Sequence, residues 1–166
     1  MKPLIVALAA VLALAACGKA GSQETAKAAA EATAYLATNA KAPGVKTLPS
    51  GLQYKIVRSG PADGLKPAPQ DEVKVHYEGK LLSGKVFDSS YERGAPAAMP
   101  LGALIPAWQE ALQLMRPGDE WVLYVPPALG YGEEGAGGGE IPGNSLLIFR
   151  IELIDVLPGP GRIGQG

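Results

Sequence analysis

The residues of this chain that could do chemistry stand in two short runs, Val73-Lys74-Val75-His76-Tyr77-Glu78-Gly79-Lys80 and Gly84-Lys85-Val86-Phe87-Asp88-Ser89-Ser90. Alternation along the first puts Val73, Val75 and Tyr77 on one face of a strand, and the second delivers an aromatic ring and a carboxylate side by side. The pair reads as an aromatic pocket wall beside one buried acid. His76 is the only histidine; it alternates away from Tyr77 and has no second ligand or base, so neither a metal role nor a charge relay is expected of it. The run Gly135 to Gly139 comes too late in its unit and lacks the Lys-Ser/Thr of a phosphate loop. It reads as a mobile flap. Further aromatics follow at Trp108, Tyr131 and Phe149. By residue type alone most of these rings would be core residues.

The elements that must position them are legible from pattern. Leu52 to Arg58 reads as a strand, Gly60 to Pro69 as a loop, Glu72 to Leu81 as a strand and Ser83-Gly84 as a hairpin turn. Gly94 to Met99 is irregular and leads into a short strand. Pro106 to Met115 makes one amphipathic helix with Trp108, Ala111, Leu112 and Met115 on a common face, stopped by Pro117-Gly118-Asp119. Strands at Glu120 to Val125 and Ser145 to Leu157 complete the set, and the tail from Pro158 is expected to be disordered. Strands outnumber helices and hairpins connect them, which gives an α+β fold: an antiparallel half-barrel wrapped around one short helix.

The N-terminus reads separately. Lys2 followed by the apolar stretch Leu4 to Ala16 is shorter than the roughly 20 residues a membrane-spanning helix needs and suits the apolar region of an export signal. It ends Leu14-Ala15-Ala16-Cys17-Gly18, which resembles the bacterial lipoprotein box, where the Cys thiol receives a diacylglycerol. Cys17 is the only cysteine, so an internal disulfide is excluded and lipidation is its expected role. Loss of residues 1–16 would remove only Lys2 among charged residues, leaving 14 basic against 16 acidic side chains. Such a balance has no footprint for nucleic acid. Membrane attachment would come from acyl chains, worth about 0.8 kcal/mol per buried CH₂. Gly18 after the Cys, in place of an acidic retention signal, resembles Gram-negative outer-membrane lipoproteins facing the periplasm, with a Gram-positive surface location left open. Gly18 to Gly21 reads as a flexible tether, and Ser22 as the cap of an Ala-rich helix running to about Ala40. Tyr35 and Leu36 are its only large apolar side chains, so a spacer helix on a monomer is expected rather than a dimerising one. The expected organisation is a signal over 1–16, a lipidated tether and helix over 17–46, a compact domain over 47–158 and a flexible tail over 159–166.

Taken in order, Tyr77, Phe87-Asp88, Leu104-Ile105-Pro106-Ala107-Trp108, Tyr131 in Leu129-Gly130-Tyr131-Gly132, Ile141-Pro142 and Phe149 resemble the FK506-binding-protein family of peptidyl-prolyl cis/trans isomerases. The resemblance runs from about Leu48 to Leu157. It implies a rotamase with no cofactor and no metal that assists folding of exported proteins, its partners being unfolded or partly folded chains with proline. It further implies that the Tyr131 hydroxyl and the Ile105 N–H donate to substrate carbonyls while Asp88 lines the pocket near the reacting carbonyl. Tyr77, Phe87, Leu104, Trp108, Ile141 and Phe149 would bind substrate, with Trp108 as the floor. Arg93 would support Asp88, since a carboxylate in an apolar site needs a charged partner.

The match departs from the family in three places. Ala97, in Pro96-Ala97-Ala98-Met99, stands where a bulky aromatic is common. Ala107 replaces a glycine, and Gly137 or Gly138 stands where some members carry a histidine. Full burial of a large apolar side chain is worth about 1.5–3 kcal/mol, so reduced affinity for FK506- or rapamycin-like macrocycles is expected with peptide turnover retained. The alternative is a non-catalytic peptide-binding or holdase module that uses the same groove.

Overall fold

A computed structural model describes residues 14–161. The leader expected over 1–16 lies outside the described residues up to residue 13, as does the tail beyond residue 161. No helix among the described residues is long and apolar enough to cross a membrane.

Among the described residues seven strands form one antiparallel sheet: β1 (Val45–Thr47), β2 (Gln53–Arg58), β3 (Glu72–Leu81), β4 (Val86–Ser89), β5 (Ala97–Pro100), β6 (Glu120–Val125) and β7 (Leu147–Leu157). Their order is β1-β2-β6-β7-β3, and β3 carries β5 and β4 in turn along its other edge. The register that matters is β3 on β7, a ladder from Glu72↔Leu157 to Leu81↔Leu147 with one bulge after Lys74. Along it Val73, Val75 and Tyr77 alternate inward with Leu147, Phe149, Ile151 and Leu153, all buried. Helix α2 (Pro106–Leu112) lies in the concave face and buries Ala107, Trp108, Ala111 and Leu112. It is shorter than expected, ending three residues before Met115, yet Met115 is fully buried with the rest. The expected α+β half-barrel around one short helix is the observed architecture.

Two expectations are corrected. Helix α1 runs from Leu14 to Asn39 and continues through Gly18 and Gly21, where a tether and a cap at Ser22 were expected. Each glycine costs a helix only about 1 kcal/mol relative to alanine, and the strong helix formers Ala15, Ala16, Lys19 and Ala20 beside them carry the helix across both. Nor is α1 a free spacer, because it docks on the sheet. Ala32 is 2% exposed, and the Tyr35 and Tyr124 rings meet at 6.0 Å. Buried Gln53 on β2 donates its Nε2 to the Leu36 carbonyl at 2.9 Å and accepts from Asn39 Nδ2 at 2.9 Å. A stripe of alanines buries little area, but it lets a helix approach closely enough for these polar bonds to form.

The second correction concerns the tail. Asp71, fully buried, accepts the Ala68 N–H through Oδ2 and the Gly159 N–H through Oδ1. Position 159 must be glycine for space, since a Cβ there would stand 2.1 Å from the Gln70 carbonyl oxygen. The chain after β7 is therefore fastened to the loop before β3 through Gly159. Asp71→Ala strands two backbone donors and is expected to cost about 1–3 kcal/mol of stability, read as a lower urea midpoint at unchanged slope.

Candidate functional site

The site grows from the inward face of β3. Tyr77 projects there, and the residue two further on, Gly79, lies opposite both Asp88 on β4 and Phe149 on β7. The missing side chain at Gly79 makes room for rings: a Cβ would lie 2.6 Å from Phe149 and 2.7 Å from Phe87. Phe87 and Phe149 thus meet edge to face at 5.6 Å. Trp108, held in the first turn of α2 by Pro106, completes the set with its edge-to-face contacts at 5.1 Å to Tyr77 and 5.2 Å to Phe149. Such T-shaped pairs are the favoured geometry of aromatic quadrupoles and fix ring orientation as well as burying area. The Trp108 Nε1–H is buried with no hydrogen-bond partner among the described residues, so Trp108 serves this site through its ring.

Above these rings opens a cleft of about 320 Å³ lined by Tyr77, Phe87, Asp88, Met99, Ala103, Leu104, Ile105, Trp108, Tyr131 and Phe149. Polar groups collect at its rim. The Tyr77 hydroxyl donates to Asp88 Oδ2 at 2.5 Å, while Arg93 donates to Asp88 Oδ1 and, through Nη2, to the Tyr77 oxygen at 2.8 Å. Asp88 is not the buried acid that the sequence suggests, since its side chain is 41% exposed. Burial alone would raise its pKa, but the Tyr77 hydroxyl, the Arg93 guanidinium and the Ser89 N–H together hold the carboxyl below the ordinary value. Burial and then the neighbouring Asp88 charge raise both Tyr77 and Tyr131 above the ordinary phenol. Both hydroxyls therefore keep their protons at neutral pH and can donate.

Ile105 caps α2, its carbonyl accepting from the N–H groups of Trp108 and Gln109. Its own N–H makes no hydrogen bond among the described residues, which leaves a donor at the cleft. Tyr131 is 39% exposed at the start of a flap that runs to Asn144. The flap is closed by mutual hydrogen bonds between Ala136 and Ile141 and by the Asn144 N–H donating to the Gly132 carbonyl at 2.7 Å. Gly135, Gly137, Gly138 and Gly139 all have positive φ, a conformation that glycine adopts without strain.

The structure thus brings together at the cleft every residue proposed from sequence except Ile141, Arg93 and Cys17. Ile141 is buried at the base of the flap and packs in the core. Arg93 stands behind the cleft on Asp88. Cys17 lies near the start of α1. Pattern reading missed Met99 and Ala103. Alternation along β5 puts Met99 two residues beyond Ala97, and it is Met99, not Ala97, that lines the cleft. Ser90 was also missed. Fully buried, its hydroxyl accepts the Tyr77 N–H at 2.8 Å, and its own N–H donates to the Tyr77 carbonyl at 2.9 Å. It ties the segment after Asp88 to the backbone of Tyr77. His76 points away, its ring stacked on Tyr91 at 4.7 Å.

A cleft walled by crossed aromatic rings, with an anchored carboxylate and separate O–H and N–H donors at its rim, points to recognition of a compact apolar group flanked by carbonyls. Residues 64–154 match the model of the FKBP-type peptidyl-prolyl cis-trans isomerase. The chain belongs to this family. Residues 7–56 match the domain amino-terminal to FKBP-type isomerases. The peptidyl-prolyl cis-trans isomerase Mip of Coxiella burnetii is 54% identical over 123 residues, covering 74% of this chain and 52% of that protein. The outer membrane protein MIP of Legionella longbeachae is 47% identical, covering 76% and 53%. The crystal structure of FkpA from Escherichia coli superposes with a TM-score of 0.82 at 39% identity, covering 89% of this chain and 67% of that one. The chain spans about half the length of these two curated relatives.

In this FKBP-type domain Gly79 is the position on which the crossed rings depend. Gly79→Ala is expected to push Phe87 and Phe149 apart and to cost about 1–3 kcal/mol, read by urea unfolding. Ring-current shifts of the two phenylalanines should move with it.

Proposed function

We propose that the chain is a peptidyl-prolyl cis/trans isomerase that accelerates X-Pro rotation in exported polypeptides. The observation that carries this is the joint placement of four aromatic rings, the Asp88 carboxylate, the Tyr131 hydroxyl and the free Ile105 N–H around one cleft. Rotation about a peptide bond meets a barrier of about 18–20 kcal/mol because the C–N bond has partial double-bond character. An enzyme lowers it by binding the twisted amide better than the planar one. The rings exclude water from the proline side of the bond, and the twisted amide, with less charge separation, loses less by that exclusion than the planar one. The Ile105 N–H and Tyr131 O–H would fix the flanking carbonyls so that the bond between them can turn. These groups act by position and electrostatics, with no proton transfer. An apolar residue before proline fits the apolar walls at Leu104 and Phe87.

Exchange NMR on a Leu-Pro peptide with the full chain tests this. Acceleration by wild type is expected, with Tyr131→Phe reducing kcat/KM by about fivefold, the equivalent of one lost hydrogen bond of about 1 kcal/mol. Asp88→Ala should lose more, since Tyr77 and Arg93 lose their common partner. A folded wild type that leaves exchange unchanged would overturn the reading and leave peptide binding alone. The sign of the pH dependence follows from Asp88. Its folded pKa is depressed, so its charged contacts are intact above the ordinary carboxylate range and are lost only as pH falls through the lower folded value. Tyr77 and Tyr131 are raised, so the pocket's contribution to kcat/KM should stay flat between about pH 5 and about pH 9.

The same proposal places the protein in the bacterial envelope, with Cys17 lipidated at the outer membrane. Support comes from the leader pattern ending at Cys17 and from the outer-membrane name of the Legionella relative. Macrocycles of the FK506 type would enter the cleft against Met99 with reduced affinity, because a thioether chain is a less rigid wall than an aromatic ring. The chain would act as a monomer, since the buried face of α1 is spent on its own sheet. Cys17→Ser is expected to move the protein from the membrane to the soluble fraction and to abolish incorporation of a labelled fatty acid. Labelling that survives this substitution would rule out Cys17 as the anchor.

A further inference from the structure

The docked helix α1 has a second role that the cleft alone does not reveal. Its Thr25 end rests on the root of the flap. Gly143 stands where a Cβ would lie 3.1 Å from Thr25 Cγ2 and 1.9 Å from the Glu133 carbonyl oxygen, so α1, the descending limb of the flap and its ascending limb are stacked at near contact. Beside it Asn144, the only non-glycine residue with positive φ among those described, directs its Nδ2 at the Thr25 carbonyl, 3.4 Å away. Two turns further along, Ala32 is the most buried of the helix residues whose side chains are described and borders the clefts on both of its sides, one reaching Leu81 and Leu146, the other Pro126 and Asn144. The far end is fastened to β2 and β6 through Gln53 and Tyr124.

We infer that α1 is a positioning element of the isomerase site: by bracing Gly143 and Asn144 it holds the flap, and through Gly132 it holds Tyr131 over the cleft. The connection is short. The Asn144 N–H donates to the Gly132 carbonyl at 2.7 Å, and Gly132 is the residue next to Tyr131. A flap with five positive-φ glycines between positions 132 and 139 has little stiffness of its own, because glycine gives up the most backbone entropy on ordering. Stiffness supplied from outside keeps a larger fraction of molecules competent to bind. Losing it lowers that fraction, so apparent affinity falls in proportion while the rate in the bound state is retained.

This inference rests on the reading of Tyr131 as a substrate-orienting residue, and one of its tests is independent of that reading. In the full chain, Ala32→Glu places a charge under the docked face while keeping a strong helix former. Detachment of α1 will show as lost amide protection over residues 25–39. Exchange of flap amides from Gly132 to Asn144 is then expected to accelerate by about tenfold, with β3 and β7 amides unchanged. KM for the prolyl peptide should rise by about threefold or more while kcat changes less than about twofold. Ala30→Glu, on the exposed face of the same helix, should match wild type in both readouts. If Ala32→Glu disturbs β3 and β7, Asn144→Asp decides instead. It keeps a residue type that tolerates positive φ but turns an acceptor toward the Thr25 carbonyl, and the same flap-specific acceleration is expected. A detached helix with flap exchange equal to wild type would overturn the inference. Faster flap exchange with an unchanged KM would confirm the brace and overturn its link to the site, and that outcome differs from a wild type without turnover, which overturns the function itself.

Discussion

The structure depends on the ten-residue antiparallel ladder between β3 and β7. Among the described residues it is the only pairing that runs the whole length of both central strands, and it fixes Tyr77 and Phe149 on the same face, one row apart. Since the side-chain period of a strand is two, a slip of one residue would turn both rings outward together with Val73, Val75, Ile151 and Leu153. The cleft is thus coupled to the core by register: the sheet cannot be correctly paired and the site misplaced. Gly79 completes the arrangement, for it leaves an unfilled place in the ladder into which two phenylalanine rings turn their edges.

Electrostatics refine what register sets up. Asp88 is half-exposed, and water alone could solvate its charge. What it gains from Tyr77 and Arg93 is direction, with each carboxylate oxygen assigned one donor. Arg93 also lies over the Tyr77 ring at 5.4 Å, so one cation braces both the acid and the aromatic wall. Ser90 then locks the backbone beneath them. The result is a rim whose charges are fixed before substrate arrives, which is the condition for electrostatic stabilisation without reorganisation.

Much of this was legible from local pattern. The strands at Glu72 to Leu81 and Glu120 to Val125 carry a plain two-residue period, and both were placed at their observed bounds. The buried face of α2 was equally readable from Trp108, Ala111 and Leu112, with Met115 buried just beyond its end. What escaped was long-range pairing between small or polar residues. Nothing local to Asp71 announces a bond to Gly159, eighty-eight positions away, and nothing in Gln53 names Leu36 and Asn39 as its partners. Ala97 is the conspicuous departure from the family pattern, yet it is Met99, on the same face of β5, that lines the cleft. The side-by-side placement of Phe87 and Asp88 suggests a buried acid, but Phe87 itself is only half-buried, and a carboxylate on a short edge strand keeps contact with water. The docking of α1 is hidden in the sequence for a related reason: its apolar area is small, and apolar area is what local pattern reveals. Close approach of alanine backbone and two hydrogen bonds to a buried glutamine replace that area.

Docking alters the geometry of the anchored protein that we propose. A spacer helix would hold the domain at a distance from the membrane set by its full length. With the helix docked from Thr25 onward, only eight helical steps from Cys17 to Thr25 separate the lipidation position from the flap, about 12 Å of rise. The Cys17 end of α1 is also the end that touches the flap root. A domain held in this way would present the Tyr131 side of its cleft close to the bilayer surface. The contact that stiffens the flap would then also orient the site, since a tether this short and helical restricts rotation of the domain far more than a glycine-rich linker of equal length would.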